Sequence, residues 1–178
     1  MTTSLILAVD GSCLKNPGGP SGWAWVSLAG DYKFGSIPSG TNQVAELEAF
    51  LNALRDHIDV PDLTIQADSE YVINIYTKWM KNWESNGWRT AAGAPVKNIA
   101  QVRALRRLQL IRSDASLPPV QVEWVRGHQN GVHPLNDAAD RWAGEGSKLA
   151  RETGATKVIV GRGGPIRLGA GGQARRAS

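Results

Sequence analysis

The hydrophobic pattern begins with short periods. Residues 4–9 are rich in Leu, Ile and Val and read as a buried strand ending at Asp10. Lys15-Asn16-Pro17-Gly18-Gly19-Pro20 is turn chemistry. Residues 22–28 and 32–37 read as two further strands around the tight turn Ala29-Gly30-Asp31, which completes an antiparallel meander. The period then lengthens. Val44, Leu47, Leu51, Leu54 and Ile58 fall at alternating steps of three and four, a helical stripe over residues 41–58. A β-type run over 62–67 ends at Asp68, and a helix is expected over 69–80 with Ser69 as N-cap. Ile99, Val102, Leu105 and Leu108 predict a helix to about Ile111. Residues 120–125 predict a strand, and Pro134 opens a last helix to about Leu149. No internal repeat is visible. The order βββ-α-β-α-(α)-α-β-α predicts one mixed sheet with helices on both faces, strand 1 lying parallel to the strand that ends at Asp68.

Composition bounds this picture without changing it. The chain has 178 residues, enough for one well-buried core. Its single cysteine, Cys13, excludes an internal disulfide framework and a cysteine-based zinc site. The first apolar run, Leu5–Val9, is too short to cross a bilayer and follows no basic segment, so neither a membrane span nor a secretory signal is expected. A reducing cytoplasmic setting is the default expectation.

Charge is unevenly placed. Residues 151–178 carry six cations against the single acid Glu152, net +5, which leaves net −1 for residues 1–150. With six glycines after residue 160, this end reads as a basic, flexible C-terminal tail on a 1–150 domain. Residues 78–98 form a second basic stretch, with Lys78, Lys81, Arg89 and Lys97 against Glu84 and three tryptophans among them. Trp79 and Trp83 lie one helical turn apart. They suit either packing against a neighbouring helix or a phosphate grip in which aromatics lie against sugars or bases. Trp23, Trp25, Trp124 and Trp142 fall in core-like positions.

The chemistry concentrates at strand ends. Asp10 and Asp68 close two strands expected to be neighbours, and open α/β sheets build their sites beyond such carboxyl ends. Two carboxylates there repel unless a hard divalent cation joins them; an aspartate after a strand also serves as a plain turn or cap. Glu46 lies at the edge of the apolar stripe and can face the sheet end, whereas Glu48 faces elsewhere. On the last helix Asp137 sits in the first turn, where an acid favours the helix without any function. Asp140 lies one turn deeper on the face of Asn136.

Five ordered motifs sharpen these alternatives: Asp10-Gly11-Ser12-Cys13 with Asn16-Pro17-Gly18; Thr41-Asn42-Gln43-Val44-Ala45-Glu46-Leu47; Ala67-Asp68-Ser69-Glu70-Tyr71-Val72; Trp124-Val125-Arg126-Gly127-His128; and Asn136 through Asp140. Together they resemble type 1 ribonuclease H over residues 4 to about 150. The resemblance implies an α/β ribonuclease H-like fold, a five-stranded mixed sheet with flanking helices. It implies hydrolysis of the RNA strand of an RNA–DNA hybrid by two Mg²⁺ or Mn²⁺ ions, leaving 5′-phosphate and 3′-hydroxyl ends. Asp10, Glu46, Asp68 and Asp140 would be the metal-binding carboxylates. His128 would assist proton transfer or product release, with His133 as the alternative because the loop between them is about two residues longer than usual. By motif position, Asn16, Asn42, Gln43 and Glu70 would read the RNA strand, Thr41 and Asn98 would hold a DNA phosphate, and Trp79, Lys81 and Trp83 would belong to a basic protrusion. Gln43 stands where the family commonly has Asn. Glu70 stands where it has Gln, replacing a donor and acceptor by an acceptor alone. A hybrid-binding module gains nothing from four acids facing phosphate, and the hybrid-reading Asn and Thr argue against a DNA nuclease on the same fold. The protein is expected to act as a monomer.

Overall fold

A computed structural model describes residues 4–128, 131–168 and 175–176, the last two as backbone only. Three antiparallel strands, β1 (Leu5–Cys13), β2 (Gly19–Ser27) and β3 (Asp31–Gly40), form the expected meander. Helix α1 (Asn42–Asp56) leads to β4 (Leu63–Ala67), which pairs parallel to β1 from Leu5↔Leu63 to Ala8↔Gln66. Two short helices, α2 (Glu70–Asn74) and α3 (Met80–Ser85), are joined by a π-helical turn at Ile75–Trp79. After them come α4 (Ile99–Asp114), β5 (Gln121–Trp124), parallel to β4, and α5 (Pro134–Thr153). The five-stranded order β3-β2-β1-β4-β5 is extended by β6 (Val158–Arg162) beside β3 and the two-residue β7 (Arg175–Arg176) beside β5.

The two faces of the sheet pack differently. On one, Phe50, Leu47 and Leu54 of α1 join Leu7, Ile65, Val102 and Leu105 in a bulky core. Trp23 and Trp25 belong to it, and Trp25 also donates its indole N–H to Asp56 at 2.9 Å. On the other face α5 lies almost backbone to backbone on β2 and β3. A Cβ on Gly22 would fall 2.2 Å from the Ala143 carbonyl oxygen, and one on Gly146 would fall 2.4 Å from that of Gly35. Trp142 stacks on Tyr32 at 4.0 Å beside this seam.

The strands exceed their expected lengths because the ladder outlasts the apolar alternation. β1 runs to Cys13 rather than stopping at Asp10, because Gly11, Ser12 and Cys13 still pair with Trp23, Gly22 and Ser21. β2 begins at Gly19 and β3 runs to Gly40, and the Gly, Pro and Ser residues there carry no apolar alternation while the ladder continues. The helix expected over 69–80 likewise runs on through the π turn to Ser85. The Gly/Ala/Pro break at 91–95 folds as a small turn, with Thr90 N donating to Ala94 O at 2.8 Å and Arg89 bridged to Pro95.

The segment from residue 151, expected as a flexible tail, forms regular structure over part of its length. α5 continues to Thr153 and is capped by Gly154 in the left-handed region, φ 61°. The chain then returns to the β3 edge. Ser36 Oγ donates to Ala155 O and accepts from Lys157 N, both at 2.8 Å, Arg162 pairs with Asp31, and β6 zips from Asp31↔Arg162 to Gly35↔Val158. Gly163 N and Ile166 N donate to Gly30 O and Leu28 O, and Ile166 packs against the cluster of Ala8, Val26 and Leu135. Residues 169–174 and 177–178 of the expected tail lie outside the described residues. Ending the chain after Gly154 should therefore lower Tm in thermal unfolding by several degrees, each kcal/mol of stability being worth roughly 2–4 °C at this size. Ser36→Ala should act in the same direction by less, and an unchanged Tm in the truncated protein would show that β6 adds nothing to the sheet.

Candidate active site

The site forms where the sheet splits. β4 ends at Ala67 while β1 continues alongside β2, so the strand pair opens beyond Ala8↔Gln66. Asp10 lies at this opening on β1 and Asp68 immediately follows β4. Glu46 arrives from α1, whose first turn is capped by Thr41 Oγ1 accepting from Val44 N at 3.1 Å. Gly11 lets the helix come that close: a Cβ there would sit 2.3 Å from Glu46 N. Carboxylate oxygens of Asp10, Glu46 and Asp68 lie within 4.8 Å of one another.

Burial and like charge act together here. Asp10 is 3% exposed and Glu46 5%. Burial, and then the charges of Glu46, Asp68 and Asp140, raise the Asp10 carboxyl well above the usual range. Burial, with the Asp68 charge, pushes Glu46 up to about 8. Asp68 is also raised by burial, while the neighbouring Asn136 amide and His128 pull it the other way. Glu46 Oε2 is buried without a hydrogen-bond partner. An orphaned carboxylate oxygen within a cluster of hard, anionic donors fits a Mg²⁺- or Mn²⁺-like cation, and a cation there would offset both burial and repulsion.

These residues open onto a cleft of about 460 Å³ that Asp140 and His128 also line. Asp140 is exposed on α5, close enough for its charge to raise all three other acids. Asp137, its competitor by sequence, is occupied elsewhere, accepting from Gly131 N through Oδ2 at 2.7 Å. Glu48 is likewise turned to Gln101 and Asn52, outside the cleft. His133 caps α5 and is not part of the cleft wall, whereas His128, at φ 56°, is. Gln129 and Asn130, in the loop between the two histidines, lie outside the described residues. Asn136 is not among the site residues expected from the sequence, yet it is 1% exposed and influences Asp68. Its signal in the sequence is the i, i+4 spacing to Asp140.

The other expected binding residues fall into three groups. Asn16 Oδ1 accepts from Asn42 N at 3.2 Å, joining the β1–β2 loop to the start of α1, where Thr41 and exposed Gln43 also stand; Asn42 lines the cleft. Glu70 is exposed in the first turn of α2 beside Ser69 of the cleft wall, and Asn98 Nδ2 donates to the Tyr71 hydroxyl at 2.9 Å. Trp79 and Trp83 pack with ring centroids 5.6 Å apart, tilted by 41°, and line a second cleft of about 420 Å³ with Asn82, Asn86, Arg89 and Thr90. The structure separates Lys81 from this pair. It lines another cleft, of about 570 Å³, with Tyr76, Arg106 and Gln109, because two residues along a helix turn a side chain to the other side.

Fold and site together define an α/β protein with buried carboxylates gathered at the split of a mixed sheet. A family model described as RNase H matches residues 2–148, and the chain belongs to that family, one of endoribonucleases. It is 41% identical over 141 residues to a ribonuclease H of Tropheryma whipplei (strain Twist), covering 78% of this chain and 81% of the relative. It is 38% identical over 149 residues to a ribonuclease H of Hahella chejuensis, covering 82% and 95%. Among solved structures, LC9-RNase H1, a type 1 RNase H with the type 2 active-site motif, matches with a TM-score of 0.65 at 24% identity over 87% of this chain and 78% of that one. A foamy viral protease-reverse transcriptase in complex with RNA/DNA hybrid matches with a TM-score of 0.64 at 23% identity, over 83% of this chain and 20% of that one. These structural likenesses carry the fold.

The raised acids have a consequence for stability. Folded Glu46 keeps its proton up to about pH 8, whereas the unfolded chain releases it near the ordinary value of 4.5, so the folded state binds more protons between them. Stability of the metal-free protein should therefore fall as pH rises through that window. Thermal unfolding in chelator at pH 5 and pH 8 should show a steeper decline for the native chain than for Glu46→Gln, and Mg²⁺ should restore more stability at pH 8. Parallel slopes for the two proteins would mean that Glu46 is not held protonated.

Proposed function

We propose that this enzyme hydrolyses the RNA strand of RNA–DNA hybrids with two divalent cations, Mg²⁺ or Mn²⁺, leaving 5′-phosphate and 3′-hydroxyl ends. The observation that carries this reading is the buried cluster of Asp10, Glu46 and Asp68 opening onto a cleft with Asp140 and His128, in a chain of the RNase H family. Asp10, Glu46, Asp68 and Asp140 hold the cations. When bound, such ions activate water and stabilise the leaving oxygen of a phosphodiester. The chain's own residues do the remainder. Asp10 and Glu46, buried on β1 and α1, orient the acidic set, and Asn136 steadies Asp68 from α5. His128, at the cleft mouth, moves a proton to or from the leaving group or assists product departure.

Asn16, Asn42, Gln43 and Glu70, at the start of α1 and α2, meet the RNA strand, where 2′-hydroxyls in a shallow minor groove distinguish RNA from DNA. Thr41 and Asn98 hold a DNA phosphate, and Trp79 and Trp83 extend the surface along that strand. The basic segment 151–178 grips phosphates without reading sequence, through exposed Arg151, Lys157 and Arg167. On this reading the enzyme acts as a monomer in the cytoplasm. Among the described residues no helix is long and apolar enough to cross a membrane.

Labelled RNA–DNA hybrid should be cut with Mg²⁺ and spared in chelator, while double-stranded RNA and double-stranded DNA remain intact. Cutting of either pure duplex at a comparable rate would overturn the reading. Asp10→Asn and Asp68→Asn should each lower kcat by orders of magnitude with the fold retained, and Asp140→Asn should impair turnover far more than Asp137→Asn. Replacing Arg151, Lys157 and Arg167 by Gln should leave kcat on saturating hybrid unchanged. It should flatten the slope of log Kd against log salt by up to about 0.9 for each phosphate no longer neutralised; identical slopes would remove the segment from binding.

A further inference from the structure

Gly127 lies in the loop after β5, at a backbone conformation that does not by itself demand glycine: its φ is outside the positive range. Yet a Cβ built on it would fall 2.1 Å from Asp68 Oδ2, 2.9 Å from Asp68 Cγ and 3.2 Å from Asp68 Cβ. The missing side chain leaves room for one thing, the carboxylate of Asp68. We propose that Gly127 is a positioning residue, whose bare Cα holds open the space in which the Asp68 carboxylate meets Asp10 and Glu46. This rests on the reading that these acids hold a divalent cation.

The surrounding bonds determine what would give way if that space were filled. The Asp68 backbone is pinned. Val125 N donates to Ala67 O at 3.0 Å, and the Trp124 indole N–H donates to Asp68 O at 3.2 Å. Both bonds come from the segment that carries Gly127, so the loop and the end of β4 move together and cannot separate to relieve a clash. The atom closest to the added methyl is instead the free end of a side chain with two rotatable bonds. Relief is therefore cheapest by turning the Asp68 carboxylate away, at little cost to the fold. Rotation would carry the Asp68 carboxylate out of the three-acid cluster, in which one oxygen of each acid now lies within 4.8 Å of the others. Neighbouring residues that orient a ligating carboxylate matter at the level of about 10–100-fold in metal affinity or activity.

The test uses Gly127→Ala, Asp68→Ala, their double variant, and Gly144→Ala as control, since a Cβ on Gly144 meets nothing within 4 Å. Mn²⁺ alone is titrated by calorimetry, and hybrid cleavage is measured in parallel. Gly127→Ala is expected to keep the metal-free Tm, weaken Mn²⁺ binding by about 10–100-fold, and lower kcat in the same range with KM for hybrid unchanged. In the Asp68→Ala background, where the carboxylate is already gone, adding Gly127→Ala should weaken Mn²⁺ binding no further. Native-like Mn²⁺ affinity and kcat in Gly127→Ala would overturn the proposal, as would a full additional loss in the double variant. If the native chain itself binds no Mn²⁺, the cation reading fails first, and that outcome is separate from any effect of the alanine.

Discussion

Two carboxylates buried to more than nine-tenths, within 4.8 Å of a third, impose the constraint on which this architecture turns. Water screens them poorly and, among the described residues, Glu46 Oε2 has no hydrogen-bond partner, so the cluster is stable only when protonated or when a counter-ion joins it. A structure that accepts this conflict must hold the acids together by force from elsewhere. The bulky face of the sheet supplies that force: Phe50, Leu47 and Leu54 anchor α1 against Leu7 and Ile65, and the same helix carries Glu46 inward. The helix cannot tilt away to ease the repulsion without exposing that core.

Close backbone approach is the means by which three distant segments reach one point. Gly11 admits α1 onto β1, and Gly22 and Gly146 admit α5 onto β2 from the other face. The hydroxyls of Ser12 and Ser147, 3.3 Å apart, join the end of β1 to α5 beside the site. Each approach replaces side-chain packing with fixed backbone distance, which leaves little freedom for the acid carried nearby. A longer side chain at any of these positions would displace a whole element rather than a single rotamer.

How far the sequence reveals this depends on the range of the interaction. The α1 stripe, Pro134 at the start of α5 and Asp68 just past the end of β4 are local signals, and the structure agrees with each. The strand extensions are hidden because their Gly, Pro and Ser residues carry no alternation. β6 is hidden because its partners lie far away in sequence: Ser36 meets Ala155 and Lys157, and Asp31 meets Arg162, so a short Val-Ile-Val run within Gly and Arg gains order only from β3. In the sequence, helix phase and motif position separate Asp140 from Asp137. The structure adds the physical reason, since Asp137 is committed to the Gly131 amide. Sequence proximity groups Lys81 with Trp79 and Trp83, a grouping that a helix does not respect.

The placement of β6 also bears on the site, though it is remote from it. β3 lies two strands from β1, and without a neighbour its outer backbone groups would face water or another chain. β6 satisfies them, and the continuing chain seats Ile166 against Ala8, Val26 and Leu135, the small cluster under α5. Ala8 is two residues from Asp10, and Leu135 adjoins Asn136. The C-terminal segment therefore braces, from below, the same stretch of β1 and the same turn of α5 that carry the acids above. A cluster of buried like charges strains its supports in the metal-free protein, and bracing at this distance steadies the geometry without adding any group to the cleft.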